Sequence, residues 1–207
     1  SPRSSVIGAW KLGEADFSLS TRSVGRSFVA ADRVDDIEFN RKWNLEAGQR
    51  SDEDIREASL AYRPKKGIEV TGGYGLLEQK AILRSRRMYG GAGLNDSTIM
   101  NAQYHVENIE RDEAQKRSSW LRQRGSAEYD AGPVTPGMRI EAEEKTTGDN
   151  EKDSLAFGSF RFVEIAPRAR TREFFRMQVA AEVQVRAEDS VIAGRLRKGF
   201  KSVTQLY

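Results

Sequence analysis

The chain has 207 residues, which is enough for one sizeable domain with its own hydrophobic core. Cysteine is absent and His105 is the single histidine, so the composition excludes disulfide frameworks, thiolate metal centres and sites built from several histidines. Lysine and arginine number 34 against 31 acidic residues, a dense mixture of both signs that is not typical of a dedicated polyanion-binding protein. No apolar run reaches the length of about 18 residues that predicts a membrane-spanning helix.

The first fifty residues show little regular patterning. Trp10 to Thr21 is predicted as one strand, and residues 31–50 are predicted as an irregular connection. Ser51 to Ser59 is the one candidate helix, because Ser51 is a suitable cap and acidic residues follow it in the first turn. The same residues lead directly into a strand pattern, which is the alternative.

Alternation with a period of two begins at Ala58 and indicates a β-hairpin. Ala58, Leu60 and Tyr62 share one face, and after the turn-forming residues 64–67 the alternation resumes from Ile68 to Leu76. Further alternating runs cover residues 102–107, 120–131, 138–143 and 155–165. The polar stretch Thr146 to Asp153 is predicted as an exposed hairpin loop.

The clearest alternation lies between Arg172 and Ala187 and predicts a long two-faced strand. Its apolar face, which meets either a protein core or lipid, comprises Phe175, Met177, Val179, Ala181, Val183 and Val185. A helix would scatter these side chains around its axis. The candidate residues of the polar face, here and in the run 120–131, are Arg122, Arg124, Glu128, Asp130, Arg176, Glu182 and Arg186.

These runs predict roughly ten to twelve strands that are longer than the usual five or six residues. The fold class is therefore all-β, an antiparallel up-and-down meander of long strands that forms a barrel or a broad curved sheet. We expect residues 1–207 to be a single β-rich domain or a segment of a larger barrel.

Alternation alone does not determine what the apolar faces meet. In a soluble barrel or sandwich they point inward, whereas in an outer-membrane barrel they face lipid and the polar faces line a wet interior. Strand lengths of at least 9–11 residues and the two signs of charge on the polar faces favour the membrane design. The charged fraction of 31% favours the soluble one.

The run Val34 to Leu45 (VDDIEFNRKWNL), followed by repeated amphipathic strands with arginine-rich polar faces, resembles segments of large, poorly characterised outer-membrane β-barrel proteins of Gram-negative bacteria. The resemblance implies a barrel in the bacterial outer membrane and transfers no catalytic residue. The function it implies is a non-enzymatic pore, scaffold or assembly component, with outer-membrane lipid or other protein subunits as partners. The alternative is a soluble β-sandwich or β-barrel binding module.

Other residue clusters are better explained as structure than as chemistry. His105 beside Glu107 lacks a neighbouring nucleophile, and the glycine-rich runs 71–75 and 89–93 lack the lysine and the helix of a phosphate-binding loop. The arginine clusters at 84–87, 117–124 and 168–172 are interspersed with acids, so nucleic acid is not expected as a partner. We predict no catalytic residue, metal site or cofactor, and a small-molecule ligand is left open.

Overall fold

The computed structural model describes residues 4–25, 42–44, 52–79, 82–96, 99–114, 116–149, 152–155, 159–172, 179–192 and 195–206. These residues form an all-β fold, with a short turn at 42–44. The twelve strands of this described part are β1 (Ser4–Leu12), β2 (Ala15–Val24), β3 (Glu53–Lys65), β4 (Ile68–Gln79), β5 (Leu83–Asp96), β6 (Met100–Glu113), β7 (Lys116–Tyr129), β8 (Val134–Asp149), β9 (Lys152–Leu155), β10 (Phe160–Thr171), β11 (Ala180–Ile192) and β12 (Arg195–Leu206).

All twelve strands belong to one antiparallel sheet in which sequence neighbours are spatial neighbours. The exception is the short β9, which pairs only with β8, so that β8 pairs with β10 directly. Within the described residues β1 pairs with β2 alone and β12 with β11 alone, and the sheet is therefore open at both edges. The predicted up-and-down meander of long strands is confirmed.

Four local predictions are wrong. The strand predicted from Arg172 to Ala187 begins only at Ala180, because the hydrogen bond from the Thr171 N–H to the Val179 carbonyl closes a hairpin between β10 and β11. Trp10 to Thr21 is not one strand, because a turn at Gly13 with φ of 58° separates β1 from β2. The candidate helix at 51–59 is instead the beginning of β3, whose pairing with both β2 and β4 outweighs the local helix signals. Thr146 to Asp149 extends β8 and is not part of a hairpin loop.

The strand register sorts alternate residues onto two continuous faces. Leu77 lies opposite Ser85, and Glu107 lies opposite Arg122, so these four side chains share one face. We call this the inner face, because most side chains that the described structure buries lie on it. The other face is the outer face, and it holds Val183 and Val185 of β11.

The apolar burial on the inner face includes one segment from outside the sheet. Ile55, Leu77 and Leu83 form an apolar cluster with Trp43, which belongs to the connection between β2 and β3. Ile109 is also buried on this face, outside that cluster. Trp43 and Asn44 also hydrogen-bond to Ser85, Arg111 and Ser118, so this segment lies over the part of the inner face formed by β4 to β7.

Candidate functional site

A row of ion pairs crosses the inner face from β5 to β7. Glu107 lies between the guanidinium groups of Arg87 and Arg122 and forms a salt bridge with each. Glu107 and Arg122 are both buried, so each charge needs its partner to offset the loss of hydration. The Arg122 guanidinium also stacks on the ring of Trp120, at 4.4 Å from its centroid.

The same row continues from β7 to β8. Arg124 donates to Glu141 at 2.8 Å and to Glu143 at 3.1 Å, and the Trp120 indole N–H donates to Glu143 at 3.3 Å. Glu143 is buried, and its carboxylate interacts with the Arg124 guanidinium and the Trp120 indole N–H. The four strands β5 to β8 are thus linked by charge as well as by backbone hydrogen bonds.

Beyond β8 the pairs include one between strands that are not adjacent, from β8 to β11. Arg139 of β8 lies 3.2 Å from Glu164 of β10 and 3.1 Å from Glu182 of β11. In β11, Arg186 pairs with Glu188 at 2.9 Å and places its guanidinium 3.7 Å from the ring centroid of Phe162. The inner face is consequently a surface of alternating charges from β5 to β11.

The candidate polar-face residues are distributed as follows. Arg122, Arg124, Glu128, Glu182 and Arg186 lie on the inner face, where Glu128 pairs with Arg168 and Arg170. Asp130 lies in the turn after β7, and Arg176 lies outside the described residues.

The candidate apolar-face residues fall into two groups. Ala181, Val183 and Val185 lie on the outer face of β11, and Val179 is exposed just before it. Phe175 and Met177 lie outside the described residues.

Sequence reasoning missed the anchoring of Trp43 and Asn44 on the inner face. The Trp43 ring lies against the backbone of Gly75, where an added Cβ would come within 2.7 Å of it. Ser85 donates a hydrogen bond to the Trp43 carbonyl at 2.9 Å. The Asn44 carbonyl accepts one from Arg111 at 2.6 Å, and the Asn44 amide donates to Ser118 at 2.9 Å.

These contacts span β4 to β7, and Lys42 adds an ion pair to Glu57 of β3 at 2.5 Å. The signal for this anchor in the sequence is the Lys42-Trp43-Asn44 portion of the run that carries the resemblance. The rest of that run, residues 34–41 and 45, lies outside the described part of the chain.

A hollow occurs on the inner face where the glycine-rich runs of β4 and β5 lie side by side. Gly91 lies opposite Thr71, and Gly93 lies opposite Glu69. The resulting open groove has a volume of about 680 Å³ and is also lined by Gln103, His105 and Arg124. Because glycine has no side chain, this part of the inner face stays open, whereas the row of ion pairs covers the part next to it.

The outer face carries an apolar band without a single charged side chain. From β3 to β11 its members are Ala58, Leu60 and Tyr62; Ile68, Val70, Gly72, Tyr74 and Leu76; Met88, Gly90, Ala92 and Leu94; Met100, Ala102, Tyr104 and Val106; Leu121, Gln123, Gly125, Ala127 and Tyr129; Val134, Pro136, Met138, Ile140 and Ala142; Val163, Ile165, Pro167 and Ala169; and Ala181, Val183, Val185 and Ala187. Most of the large members are exposed. The amide of Gln123, which is polar, accepts a hydrogen bond from the Tyr104 hydroxyl at 2.8 Å.

Apart from Lys65, which a register shift at the end of β3 places opposite Ile68, the charged outer-face residues whose side chains are described lie at one end of the strands, the end at which β2 connects to β3. This charged rim consists of Asp54, Arg56, Glu78, Arg84, Arg86, Glu110, Asp112, Arg117, Glu144, Arg161 and Asp189. Within it Asp112 pairs with Arg86 at 3.2 Å and with Arg117 at 3.3 Å. At the opposite end, which we call the turn end, the exposed outer-face aromatics Trp10, Tyr62 and Tyr129 stand close to the short turns.

Asp130 illustrates the electrostatics of the turn end. Its carboxylate accepts a hydrogen bond from the backbone N–H of Gly132 at 2.9 Å and another from the Arg172 guanidinium at 3.0 Å. These two donors hold the pKa of Asp130 below its usual value.

The described residues contain neither a membrane-spanning helix nor a cluster of metal-binding side chains. No helix within the described part of the chain is long and apolar enough to cross a membrane. The described residues also contain no group of three or more histidine, aspartate or glutamate side chains arranged to hold a metal ion. Comparison of the chain with protein-family models and with curated proteins finds no match.

Proposed function

We propose that this chain forms part of the wall of an outer-membrane-type β-barrel and acts as a pore, scaffold or assembly component. The outer face contacts the hydrocarbon of the bilayer, and the inner face contacts water or an internal segment. The observation that carries the proposal is the uncharged band, which is continuous across the outer face from β3 to β11 while ion pairs occupy the inner face.

The height of the band supports this assignment. In β4, β7 and β8 it extends over nine residues, from Ile68 to Leu76, from Leu121 to Tyr129 and from Val134 to Ala142. A tilted strand needs about 9–11 residues to cross a bilayer. The aromatic residues at the turn end correspond to one of the two interfacial girdles of such barrels, and the charged rim lies beyond the band at the other end.

The soluble binding module is less well supported, because its apolar strand faces would be packed together. Here the apolar side chains of the outer face are exposed, and contiguous exposed patches larger than a few hundred Å² are rare in soluble monomers. The partners that follow from the proposal are outer-membrane lipid and, where the wall is shared, other protein subunits. The location that follows is the outer membrane of a bacterial cell envelope.

The proposal is tested by labelling one residue on each face at the same depth. Because the chain has no cysteine, Val185→Cys and the adjacent Gln184→Cys each give a unique site for an environment-sensitive fluorophore. In vesicles, we expect lipids brominated on their acyl chains to quench the label at 185 and aqueous iodide to quench the label at 184.

Equal quenching of both labels by iodide, with none by brominated lipid, would favour the soluble module. A second measurement is electrophoretic mobility without boiling, which shifts for a folded barrel that retains its structure in detergent. A protein that stays monodisperse in plain buffer and shows no such shift would contradict the proposal.

A further inference from the structure

We propose that the free edge of β1 binds an additional amphipathic strand that runs antiparallel to β1, and that β12 does not occupy this position. This inference rests on the proposed function, because a sheet edge in the hydrocarbon has no water to satisfy its backbone N–H and C=O groups. Every edge inside a membrane must therefore be paired.

The first argument is the chemistry of the edge. Within the described residues β1 has a partner only on its β2 side. Its large apolar side chains are 58% to 78% exposed, and they are Val6, Ile7, Trp10 and Leu12. A strand edge of nine residues that carries exposed apolar side chains and a free row of backbone groups is a site for strand addition.

The second argument is strand direction. Of the twelve strands, β9 lies off the main path, so eleven strands connect one edge to the other, and each is antiparallel to the next. Because eleven is odd, β1 and β12 both run from the charged rim to the turn end. Closing the sheet on itself would make β1 and β12 a parallel pair, whereas barrels of single bacterial chains use an even number of antiparallel strands.

The same reasoning excludes a second copy as the occupant. Two copies inserted in the same orientation would again place β1 of one parallel to β12 of the other. An antiparallel pair of two β1 strands would require one copy to be inverted, which would put its charged rim on the opposite surface of the bilayer. The occupant is thus a strand other than β1 to β12 that runs from the turn end to the rim.

The chemistry of that strand follows from the pleat. Residues that pair with Val6 and Trp10 point to the outer face and are expected to be apolar or aromatic. Residues that pair with Ala9 and Lys11 point to the inner face and are expected to be small or polar. β11 has this alternation and would run in the required direction, so its sequence serves as a probe.

The first experiment asks whether β12 fills the edge. In the cysteine-free chain, the pairs Ala9→Cys with Val203→Cys and Ile7→Cys with Val203→Cys test parallel closure, since all three positions face inward. The control pair, Ala9→Cys with Ser18→Cys, lies directly across β1 and β2. We expect a disulfide in the control and none in the two β1–β12 pairs of the folded protein in detergent.

The second experiment supplies a strand. A peptide with the sequence of Ala180–Ile192 and one added cysteine is refolded together with Lys11→Cys or Ile7→Cys, in detergent. These positions are four residues, or about 13 Å, apart along β1, so an antiparallel peptide with an N-terminal cysteine should prefer Lys11→Cys over Ile7→Cys by about tenfold. A C-terminal cysteine should reverse the preference.

Orientation-specific capture without a β1–β12 disulfide supports the inference. An intramolecular β1–β12 disulfide, a disulfide-linked dimer through β1 or β12, the opposite peptide orientation, or no capture at all would each overturn it. The quenching assay at position 185, run on the same preparations, separates the two proposals. If lipid quenches that label while β1 and β12 cross-link, the edge inference alone has failed.

Discussion

In β11, Val185 on the outer face is 37% exposed, whereas the side chain of Glu182 on the inner face is only 18% exposed. The same contrast holds across the sheet, because Ile140 and Val163 are exposed on the outer face while Glu107 and Glu143 are buried on the inner face. On a single strand, therefore, apolar side chains of the outer face are exposed while charged side chains of the inner face are largely buried.

This comparison shows how each face is stabilised. The inner face is held by ion pairs, hydrogen bonds and one apolar cluster around Trp43. On the outer face the described ion pairs lie in the charged rim, and the apolar band becomes favourable only against another apolar medium. Substitutions at matched positions on the two faces should therefore have different costs.

The largest expected effect is that of Trp43→Ala on the inner face. Removing a fully buried tryptophan leaves a cavity next to Gly75 and Leu77 and should lower the free energy of unfolding by about 3–5 kcal/mol. The measurement is urea unfolding of the protein in lipid vesicles. The exposed Trp10→Ala on the outer face of β1 is the control, and an equal loss in the two variants would contradict the contrast.

Glu107→Gln should have the next largest effect. It leaves the guanidinium groups of Arg87 and Arg122 on a buried surface without their shared carboxylate, at a cost of about 3–5 kcal/mol, or less if water enters. Glu110→Gln, in the charged rim on the outer face of the same strand, should cost less than about 1 kcal/mol. If the two variants unfold at the same urea concentration, the inner-face row does not stabilise the sheet.

Lysine substitution in β11 tests the outer face directly. Val185→Lys places a charge in the apolar band and should destabilise the protein by about 2–4 kcal/mol in vesicles, whereas Gln184→Lys next to it should cost little. If the sheet is instead soluble, the two lysine variants should have nearly the same free energy of unfolding. Unfolding of both variants in vesicles and in buffer provides the measurement.

Much of the fold could be predicted because a period of two is a local property. The alternation of Val183 and Val185 with Glu182 and Arg186 identifies an extended strand, and Lys66 and Gly67 mark a hairpin turn. Whether the apolar faces meet lipid or a protein core depends on how exposed the outer face is. Alternation in the sequence carries no information about that exposure. The separation of β1 from β2 also escaped prediction, since the turn at Gly13 interrupts the pattern by only two residues.

The anchor at Trp43 and Asn44 could not be predicted, because it depends on contacts far apart in the chain. Arg111 follows Asn44 by 67 residues and Ser118 follows it by 74 residues. Their meeting requires the register of all intervening strands, together with a glycine at position 75 to admit the ring. A tryptophan within an irregular run carries no local sign of such a partner set.

The smallest expected effect is that of Asp130→Asn in the turn between β7 and β8. The hydrogen bonds from Gly132 and Arg172 lower the pKa of Asp130 in the folded protein, so the carboxylate stabilises the fold above the usual aspartate pKa of about 3.9. This contribution is lost as the pH falls through the lower pKa of the folded state. Unfolding measured from pH 6 to pH 2.5 should show a weaker loss of stability on acidification in the variant than in the wild type.

A single group can change the pH slope of stability by at most one proton, so the effect of Asp130→Asn must stay small. Asp112→Asn in the charged rim is the matched control, because Asp112 pairs with Arg86 and Arg117 and, among the described residues, accepts no hydrogen bond from the backbone of a turn. If Asp130→Asn leaves the acid slope unchanged, the Gly132 and Arg172 contacts do not persist in solution. The turn between β7 and β8 would then be held by its backbone hydrogen bonds, such as that from the Ala131 N–H to the Val134 carbonyl, while the Glu128 ion pairs would still link β7 to β10.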